Sequence, residues 1–557
     1  MDTRRLLFVL GGIGAATVAV IVVLAVALSG GGDGDGNGNS PDGDGGPGIG
    51  EDLPARESGE LRLFGPDPLI IDPACASDAG SARYIVEIFS GLVSFDRDLN
   101  LIPDIAESWE TSDDGAVYTF NLRNNVLFHD SSRRVTAADF KFSIERALNP
   151  NTLSTVAEVY LDDIAGALTY ARGQADEVEG IRVIDDSTLE ITLEHPNPVF
   201  LFKLSYPVSF VVDQREVGDS TCFSDTQWTL NPNGTGPFRL TEWALGQRIE
   251  LEPNPNYYLD PKPSLAKVTY IIAGGSPFTM YENDEVDITG VGANDIERVR
   301  DPNEPLNAEF VEGESLDVFY IGFNTEEPPF DDPRIRRALD MAIDKELIAN
   351  TILAELVAPA NGILPPGLPG YNPDLEGLPY DPQAARDLLD EAGGPEVLDD
   401  VVLLTPGRGA SPSDVLEAIV ALWDENLGVN IAIEQREFGL FLRDIDETNF
   451  QMFSLGWIAD YPDPQNFLEI KLHSRSANNE TLYSNPEVDA LLDEARTEFD
   501  EQARFELYRQ AEEIIVNDAP WIPLYHGKTS ALIKPYVDGY EVPPFVLPNL
   551  RYVTIDK

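Results

Sequence analysis

Residues Gly456–Phe467 read Gly-Trp-Ile-Ala-Asp-Tyr-Pro-Asp-Pro-Gln-Asn-Phe, and the interpretation of the whole chain starts from them. An apolar run at residues 452–455 leads into this stretch and predicts a buried strand. Pro462 and Pro464 then prevent either a strand or a helix from continuing, because proline lacks an amide hydrogen and restricts the residue before it. The sequence therefore predicts a rigid turn just past the carboxyl end of a buried strand.

Asp460 and Trp457 lie in this predicted turn. In open α/β sheets, ligands bind in the crevice outside the carboxyl ends of the strands. We therefore predict that Asp460 is a ligand-binding anion and that Trp457 forms a wall of the pocket. The alternative interpretation is that Asp460 only caps the turn through its own backbone, as aspartates in turns do.

The composition limits the classes of function. The chain has 557 residues, of which 43% are hydrophobic, and this predicts two or three lobes with large buried cores. Its formal net charge of −59, from 97 acidic and 38 basic side chains, argues against nucleic acid and anionic lipid heads as partners. A strongly acidic surface keeps a protein soluble and favours a salty or extracytoplasmic setting.

The chain contains two cysteines, Cys75 and Cys222. Neither lies in a Cys-x-x-Cys motif, so the sequence predicts neither a metal site nor a redox site. If the body of the protein is exported, we expect the two to form a disulfide. The alternative is a pair of buried thiols that behave as small hydrophobic side chains.

The N-terminal residues carry a targeting signal. Leu6–Leu28 is a continuous apolar run without a charge, long enough to cross a bilayer. Arg4 and Arg5 precede it, so the positive-inside rule places the first residues in the cytoplasm and the body outside. We predict a single-pass membrane anchor at residues 1–28 and a disordered, Gly- and Asp-rich linker at residues 29–57. The alternative is a signal peptide that is cleaved.

The body shows strand and helix patterns throughout. Strands are predicted at residues 61–64, 69–73, 118–122, 189–193, 401–404, 429–433 and 521–525, and helices at residues 82–92 and 135–148. Further helices are predicted to open at Asp332, Asp381, Ser411 and Asn485, each of which precedes a proline. The helix from Ser411 joins two predicted strands, which indicates a right-handed parallel βαβ unit. Phe499 is expected to face the core.

Arg408 follows the predicted strand at residues 401–404, beside the start of a helix. Arginine is the side chain best suited to bidentate capture of a carboxylate. We therefore predict Arg408 as a second ligand-binding residue. The alternative is a solvated loop arginine, since most loop charges lie on the surface.

A series of short blocks follows in order along residues 58–557. The blocks are Pro103–Trp109, Asp113–Leu122, Phe128–Asp130, Thr136–Phe142, Gly234–Leu240, Asn324, Asp332–Leu339, Tyr380–Gly393 and Tyr483–Asp489. Together they resemble the family 5 extracytoplasmic solute-binding proteins of ABC importers, of the oligopeptide- and dipeptide-binding type. Each block is weak evidence alone, but the whole series in one order is specific.

The resemblance implies an α/β fold of the two-lobe periplasmic-binding-protein type II, with a smaller inserted sublobe. In this chain the transmembrane helix and the disordered linker would precede it. The implied boundaries are residues 58–325 for lobe I, about 98–195 for the sublobe, 326–519 for lobe II and 520–557 for a C-terminal return into lobe I.

The resemblance also implies site residues. In the peptide-binding members, the aspartate of a Trp-x-x-Asp-Tyr block binds the α-ammonium group of the ligand. Trp457, Asp460 and Tyr461 occupy these positions here. Arg408 falls close to the arginine that meets the ligand carboxylate in dipeptide binders.

The function implied is the extracytoplasmic substrate-binding component of an ABC-type importer. The protein would be a monomer that captures short peptides between its lobes and delivers them to permease subunits in the membrane, without catalytic residues, cofactor or metal. One alternative is a binder of the same fold for a metal chelate, a sugar or a cationic small molecule, and a sensing role also fits. A further alternative is an anchored extracellular hydrolase with Asp460 and Asp463 as paired carboxylates.

Overall fold

The computed structural model describes residues 56–223, 227–407 and 412–556. The predicted anchor at residues 1–28, almost all of the predicted linker, and Arg408 lie outside the described residues. Within the described ranges, the strands are β1 (Glu60–Phe64), β2 (Val93–Phe95), β3 (Leu101–Pro103), β4 (Ala106–Thr111), β5 (Val117–Leu122), β6 (Ile181–Asp185), β7 (Thr188–Thr192), β8 (Phe238–Ala244), β9 (Arg248–Pro253), β10 (Lys267–Ile271), β11 (Ile288–Gly290), β12 (Phe310–Glu314), β13 (Asp317–Phe323), β14 (Val357–Pro359), β15 (Val402–Pro406), β16 (Ala432–Arg436), β17 (Met452–Ile458), β18 (Trp521–Ile533), β19 (Val537–Asp538) and β20 (Thr554–Ile555).

The helices are interspersed with these strands. They are α1 (Ala79–Ile88), α2 (Ala137–Leu148), α3 (Ala157–Leu161), α4 (Ala167–Ala171), α5 (Phe200–Lys203), α6 (Gln214–Val217), α7 (Pro277–Glu282), α8 (Ile296–Arg300), α9 (Pro333–Met341), α10 (Lys345–Leu347), α11 (Pro382–Glu391), α12 (Asp414–Leu427), α13 (Phe438–Asp446), α14 (Gln465–Leu472), α15 (Pro486–Thr497) and α16 (Glu501–Asp518). None of the helices in the described part of the chain is both long and apolar enough to cross a membrane.

Proline and a capping side chain start three of the helices. Asp332, Asp381 and Asn485 each accept a backbone N–H of the first turn, and a proline follows each of them at the first helical position. The side-chain oxygen satisfies an amide that has no partner inside the helix, and proline has no amide to satisfy. These starts confirm the sequence prediction.

A large mixed sheet organises the described chain. Its strands follow the order β16-β15-β17-β13-β18-β11-β1-β10-β9-β8, and β12 and β14 pair in addition with β18. β15 pairs in parallel with β16, as the predicted βαβ unit requires, and it pairs in parallel with β17 as well. β1 pairs in parallel with β10 and β11. A separate antiparallel sheet has the order β4-β5-β7-β6.

Strand β18 lies in the middle of the large sheet and joins its two halves. Its first half, from Trp521 to Tyr525, pairs with β13, and its second half, from Ala531 to Ile533, pairs with β11. The chain crosses between the two halves of the sheet a second time, where β12 leads into β13 at residues 310–323. The two crossings are neighbours, because β12 pairs with the second half of β18.

Some predicted element boundaries were wrong. The predicted strand at residues 69–73 is not a strand, because the amides of Leu69 and Ile70 bond to the hydroxyl group of Ser81 instead of a neighbouring strand. Helix α12 begins at Asp414, with the Ser413 side chain as its cap, and not at residue 411.

Two further positions also differ from the prediction. The strand predicted at residues 429–433 lies three residues later, as β16. Phe499 does not face the core, since it is 56% exposed just beyond the end of α15.

A disulfide joins Cys75, in the segment before α1, to Cys222, with the two Cα atoms 5.4 Å apart. Because 147 residues separate the two positions, the chain-entropy model assigns the crosslink about 4–5 kcal/mol. Beside it, Arg146 of α2 bonds both carboxylate oxygens of Asp72, at 2.9 and 2.6 Å. The crosslink and this buried ion pair together fix the segment that leads from β1 to α1.

Candidate functional site

The carboxyl ends of strands from both parts of the large sheet meet near the middle of β18. β11 runs toward the middle of β18 and ends at Gly290, which pairs with Ala531 of β18. At the other side, β17 ends with Ile458 opposite Asp317, where β13 begins. Loops at such ends point away from the core and are free to bind ligands. This is therefore the place in the fold where a ligand site is expected.

A cavity of about 250 Å³ lies at this junction. Its wall includes Gly65 and Pro66 after β1, Gly290 at the end of β11, Ser530 of β18 and Ile458 at the end of β17. A C-terminal segment, residues 540–550, closes another side of the cavity. Most of the wall is apolar, with a small number of polar groups, which is the usual composition of a small-molecule site.

Asp460 lies two residues past the end of β17, whose last residue, Ile458, lines this cavity. It is partly exposed, and its carboxylate accepts hydrogen bonds from the Tyr160 hydroxyl group and from Nδ2 of Asn466, the latter at 3.0 Å. Its buried surroundings raise the pKa of Asp460 to about 6, although the hydrogen bonds from Asn466 and Tyr160 lower it. The carboxylate is thus held in place by neutral donors, without a cation in direct contact among the described residues.

Asn466, in the first turn of α14, fixes the position of the Asp460 backbone as well. Its Oδ1 accepts the backbone N–H of Asp460 at 3.0 Å and the indole N–H of Trp457 at 3.1 Å. The side-chain amide of Asn466 therefore bonds the backbone and the side chain of Asp460, and it also bonds Trp457 in the strand that leads to this turn. A residue held at both its backbone and its side chain keeps one orientation of its carboxylate, which is the requirement for a carboxylate that is preformed to bind a cation.

Trp457 is fully buried and lies within β17, not in the turn after it. Nζ of Lys471 lies 4.2 Å from the centre of its ring, and Lys471 forms a buried ion pair with Glu480. Burial lowers the pKa of Lys471, although Glu480 and Asp460 oppose this effect. The predicted role of Trp457 as a pocket wall stays a prediction. Its observed contacts are with Asn466, which holds Asp460, and with the ammonium group of the buried Lys471.

Tyr461 and Asp463, which lie in the same turn as Asp460, bond to α14 and α16. Tyr461 is fully buried, and its hydroxyl group donates to Gln465. Asp463 is also buried, and Arg504 bonds both of its carboxylate oxygens, at 2.8 and 2.6 Å. These contacts stabilise the turn, and Asp460 is the acidic group of the motif that keeps an exposed face.

Hydrogen bonds connect the Asp460 turn to the segment that closes the cavity. The amide of Ala459 donates to the carbonyl of Leu316 at 2.8 Å, and the amide of Leu316 donates to the carbonyl of Pro544 at 3.0 Å. An aromatic series follows the same direction: Phe545 contacts Phe95, Phe95 contacts Phe202 and Phe202 contacts Tyr461, with ring centres 5.3 to 6.4 Å apart. These contacts therefore join the acidic turn to the segment that closes the cavity.

Sequence reasoning singled out Asp460, Trp457 and Tyr461 but missed Tyr160, Asn466 and Lys471. Tyr160 comes from α3, far from the motif in the chain, so no local pattern could have indicated its contact with Asp460. Asn466 lies inside the quoted stretch, and an amide shortly after an Asp-Tyr turn could have been noted as a cap. In the described ranges, no group of three or more His, Cys, Asp or Glu residues could hold a metal ion.

Residues 100–479 match the family of bacterial extracellular solute-binding proteins, family 5. The chain belongs to this family. Among its relatives, heme-binding protein A of Haemophilus influenzae is 31% identical over 514 residues, which cover 88% of this chain and 90% of the relative. The periplasmic oligopeptide-binding protein OppA of Escherichia coli is 31% identical over 492 residues, which cover 86% of this chain and 89% of the relative.

Solved structures of this family have the same α/β periplasmic-binding-protein fold. The murein tripeptide binding protein MppA of Escherichia coli superposes with a TM-score of 0.80 at 28% identity, over 89% of this chain and 98% of that one. The unliganded open form of MppA covers the same share of this chain, and 97% of its own, but its TM-score is only 0.64. The parts of the present chain are therefore arranged less like the open form than like the other MppA structure.

Proposed function

We propose that this protein is the substrate-binding component of an ABC-type importer and that it captures short peptides, with Asp460 pairing with the ligand's ammonium group. The observation that carries the proposal is the partly exposed Asp460 carboxylate, which Asn466 fixes two residues past the strand end that lines the cavity. A carboxylate held in surroundings that exclude water attracts an ammonium group more strongly than one in bulk solvent.

The proposed mechanism is hinge closure. Lobe I (58–325, with a sublobe at about 98–195 and a return at 520–557) and lobe II (326–519) would rotate about the passages at residues 310–323 and β18. A ligand that contacts both lobes favours the closed state by its differential affinity for that state. In this scheme Tyr160 of the sublobe bonds Asp460 of lobe II when the lobes are closed.

The closed protein would then deliver the ligand to permease subunits in the membrane. A monomeric state, an anchor at residues 1–28 and a carboxylate-binding role for Arg408 complete the proposal. The family's description as extracellular supports a body outside the cytoplasm.

The hydrolase alternative is less well supported. It requires Asp463 as a partner for Asp460, but both oxygens of Asp463 are engaged by Arg504. Neither oxygen of Asp463 is therefore free to bond a water molecule or a substrate in the way that a paired catalytic carboxylate must. We therefore propose binding without turnover.

The ligand class is the part of the proposal that most needs an experiment, because relatives of equal identity are named for heme and for oligopeptides. Native mass spectrometry of the purified protein, followed by denaturation, would identify what it carries. We expect short peptides. The Asp460→Asn variant should lose them, whereas Asp186→Asn, which removes a carboxylate whose side chain is 82% exposed, should keep them.

The outcomes separate the alternatives. A single non-peptide species lost from the Asp460→Asn variant would keep the binding role and reject the peptide assignment. Peptides retained by Asp460→Asn at the level of the unchanged protein would reject the role of Asp460. Peptide hydrolysis by the purified protein, abolished in Asp460→Asn, would favour the hydrolase.

A further inference from the structure

The segments that the disulfide joins both contact the chain that leads into α3. The carbonyl of Ala74, directly before the first cysteine, accepts a hydrogen bond from the Ser154 hydroxyl group at 2.5 Å. The same hydroxyl group accepts the amide of Ala157, the first residue of α3, at 3.1 Å. The amide of Cys222 donates to the carbonyl of Thr152 at 2.9 Å. The crosslinked segments therefore hold the start of α3 at two points.

A second connection starts on the other side of Cys75. The carbonyl of Ala76 accepts a hydrogen bond from the Tyr206 hydroxyl group at 3.3 Å. The Tyr206 ring stacks on the ring of Tyr160, with the ring centres 4.0 Å apart and the planes 6° from parallel. Both rings are buried, and the Tyr160 hydroxyl group donates to Asp460. An unbroken series of contacts thus runs from the crosslink to the carboxylate of the proposed site.

Tyr160 depends on contacts of this kind for its position. Helix α3 has five residues, and its N-cap residue, Val156, makes no side-chain capping bond. A helix of this length does not form from its own propensity, because fixing the first turn costs more than its few hydrogen bonds return. The tertiary contacts of Ser154 and Tyr206 therefore hold Tyr160 at the Asp460 carboxylate.

The usual contribution of a disulfide is a different one. In the chain-entropy model a crosslink destabilises the unfolded chain and leaves the folded site unchanged. A crosslink with this role alone would raise the temperature of unfolding without changing the affinity of the folded protein for a ligand. The contacts around Cys75 indicate an effect on the folded site as well, because a displacement of this segment moves groups that touch Tyr160 or its helix.

We propose that the disulfide positions Tyr160 against Asp460 and thereby sets the affinity of the folded protein for peptides. It acts through Ser154 at the start of α3 and through the stacked ring of Tyr206. This inference rests on the proposed function and adds residues that act on the site through Tyr160. In the proposed closure Tyr160 meets Asp460 when the lobes are closed, so a displaced Tyr160 weakens the closed, ligand-bound state.

The test titrates the full-length protein with a library of random short peptides, from dipeptides to pentapeptides. The bound fraction is measured by native mass spectrometry, well below the unfolding temperature of each variant. Tyr206→Phe removes the hydroxyl group but leaves the crosslink closed. We expect it to weaken peptide binding about 3- to 10-fold, the range of one hydrogen bond. The double variant Cys75→Ser with Cys222→Ser should weaken binding at least as much and should also lower the unfolding temperature.

Combined changes separate positioning from stability. Adding Tyr206→Phe to the double cysteine variant should weaken binding no further, because two changes on one path are not additive. Ser154→Ala removes the other connection and should weaken binding with the disulfide intact. This variant and Tyr206→Phe keep the test decisive even if the double cysteine variant does not fold.

Tyr118→Phe is the matched control. Tyr118 is a buried tyrosine of β5 whose hydroxyl group donates to the carbonyl of Asn197 at 3.4 Å. Its loss removes a similar hydrogen bond outside the series that leads to Asp460. This variant should bind peptides as the unchanged protein does.

Other results would overturn the inference. Unchanged affinity in both Tyr206→Phe and Ser154→Ala, with capture still lost in Asp460→Asn, rejects the positioning role and leaves the proposed function intact. A lower unfolding temperature with unchanged affinity in the double cysteine variant assigns the disulfide to stability alone. Losses that multiply when Tyr206→Phe is added reject the path through Tyr206. If the unchanged protein captures no peptide, the proposed function and the inference fall together.

Discussion

The Asp460 carboxyl group illustrates how single-residue electrostatics shapes this site. Its neutral donors, Tyr160 and Asn466, orient it without supplying a full positive charge. Burial raises its pKa above the ordinary value, to about 6, although these hydrogen bonds lower it. For the free protein, protonation of a group with a raised pKa favours the folded state, and this contribution is lost as the pH rises through 6. A ligand ammonium has the opposite preference, because it pairs with the charged form.

Peptide binding should consequently weaken at acidic pH. Between pH 7 and 6 we expect a nearly constant affinity, and below pH 6 a fall that approaches about tenfold per pH unit, as one proton competes with the ligand. Titration calorimetry between pH 5 and 7 with a peptide released from the protein would measure it. Asp460→Asn should lose both affinity and this slope; an unchanged slope in that variant would assign the titration to another group.

The residues that bind could be predicted from the sequence better than those that position them. Asp460 lies in a short motif with two prolines, so its turn is visible in the chain itself. Tyr160 and Lys471 act through contacts that form only after distant helices have packed, and no local pattern encodes such a contact.

At the scale of elements, two blocks of the family resemblance contact one another. The amide of His129 donates to the carbonyl of Gly234 at 2.9 Å, and the His129 ring bonds the carbonyl of Gly236 at 3.1 Å. The amides of Thr235 and Gly236 both donate to the carbonyl of Ile88, which closes the end of α1. These blocks therefore hold α1 against β8 and serve the fold, although their signature helps to recognise a binding protein.

The glycine of this block should resist substitution. A Cβ atom on Gly236 would lie 2.4 Å from the carbonyl oxygen of Glu87, so Gly236→Ala should lower the free energy of unfolding by about 1–3 kcal/mol, the usual cost of over-packing. Chemical denaturation would measure it. Gly275→Ala is the matched control, since nothing lies within 4 Å of its Cβ position; equal stability of the two variants would contradict the argument.

The sequence predicted elements well where their signals come from adjacent residues, and poorly where they depend on pairing with a distant part of the chain. The caps at Asp332 and Asp381 are encoded by adjacent residues, and the helices begin there. The strand predicted at residues 521–525 extends to Ile533, because its second half gains partners, β11 and β12, from far earlier in the chain. The segment at residues 69–73 is apolar like a strand, but Ser81 takes its amides.

At the scale of the whole molecule, ion pairs join the residues after α3 and in α5 to helices α14 and α15, which follow β17. Arg496 of α15 bonds Asp162 at 2.6 Å and Glu469 of α14 at 3.2 Å, and the buried Lys203 bonds Asp162 at 2.7 Å. Burial raises the pKa of Glu469 to about 7, although Arg496 lowers it. If the proposed lobes separate on opening, the contact between Arg496 and Asp162 has to break.

Arg496→Met should therefore shift the free protein toward the open arrangement. The loss of about 1–2 kcal/mol from the closed state corresponds to a 5- to 30-fold weaker apparent peptide affinity. Small-angle scattering should give a larger radius of gyration without peptide and a normal one with saturating peptide. Arg182→Met, on the exposed face of the small sheet, should change neither quantity; an Arg496→Met variant with the same radius and affinity would refute this role.

Strand β18 also has a consequence for the order in which the protein can be made. In the sequence it follows every other strand of the large sheet, yet in space it lies between β13 and β11. Until residues 521–533 emerge during synthesis, those two strands keep unpaired edges, which are sites for aggregation. The large sheet therefore cannot close co-translationally from its first strands onward. A chain that stays unfinished until so late remains suitable for transfer across a membrane in extended form, with folding completed on the far side.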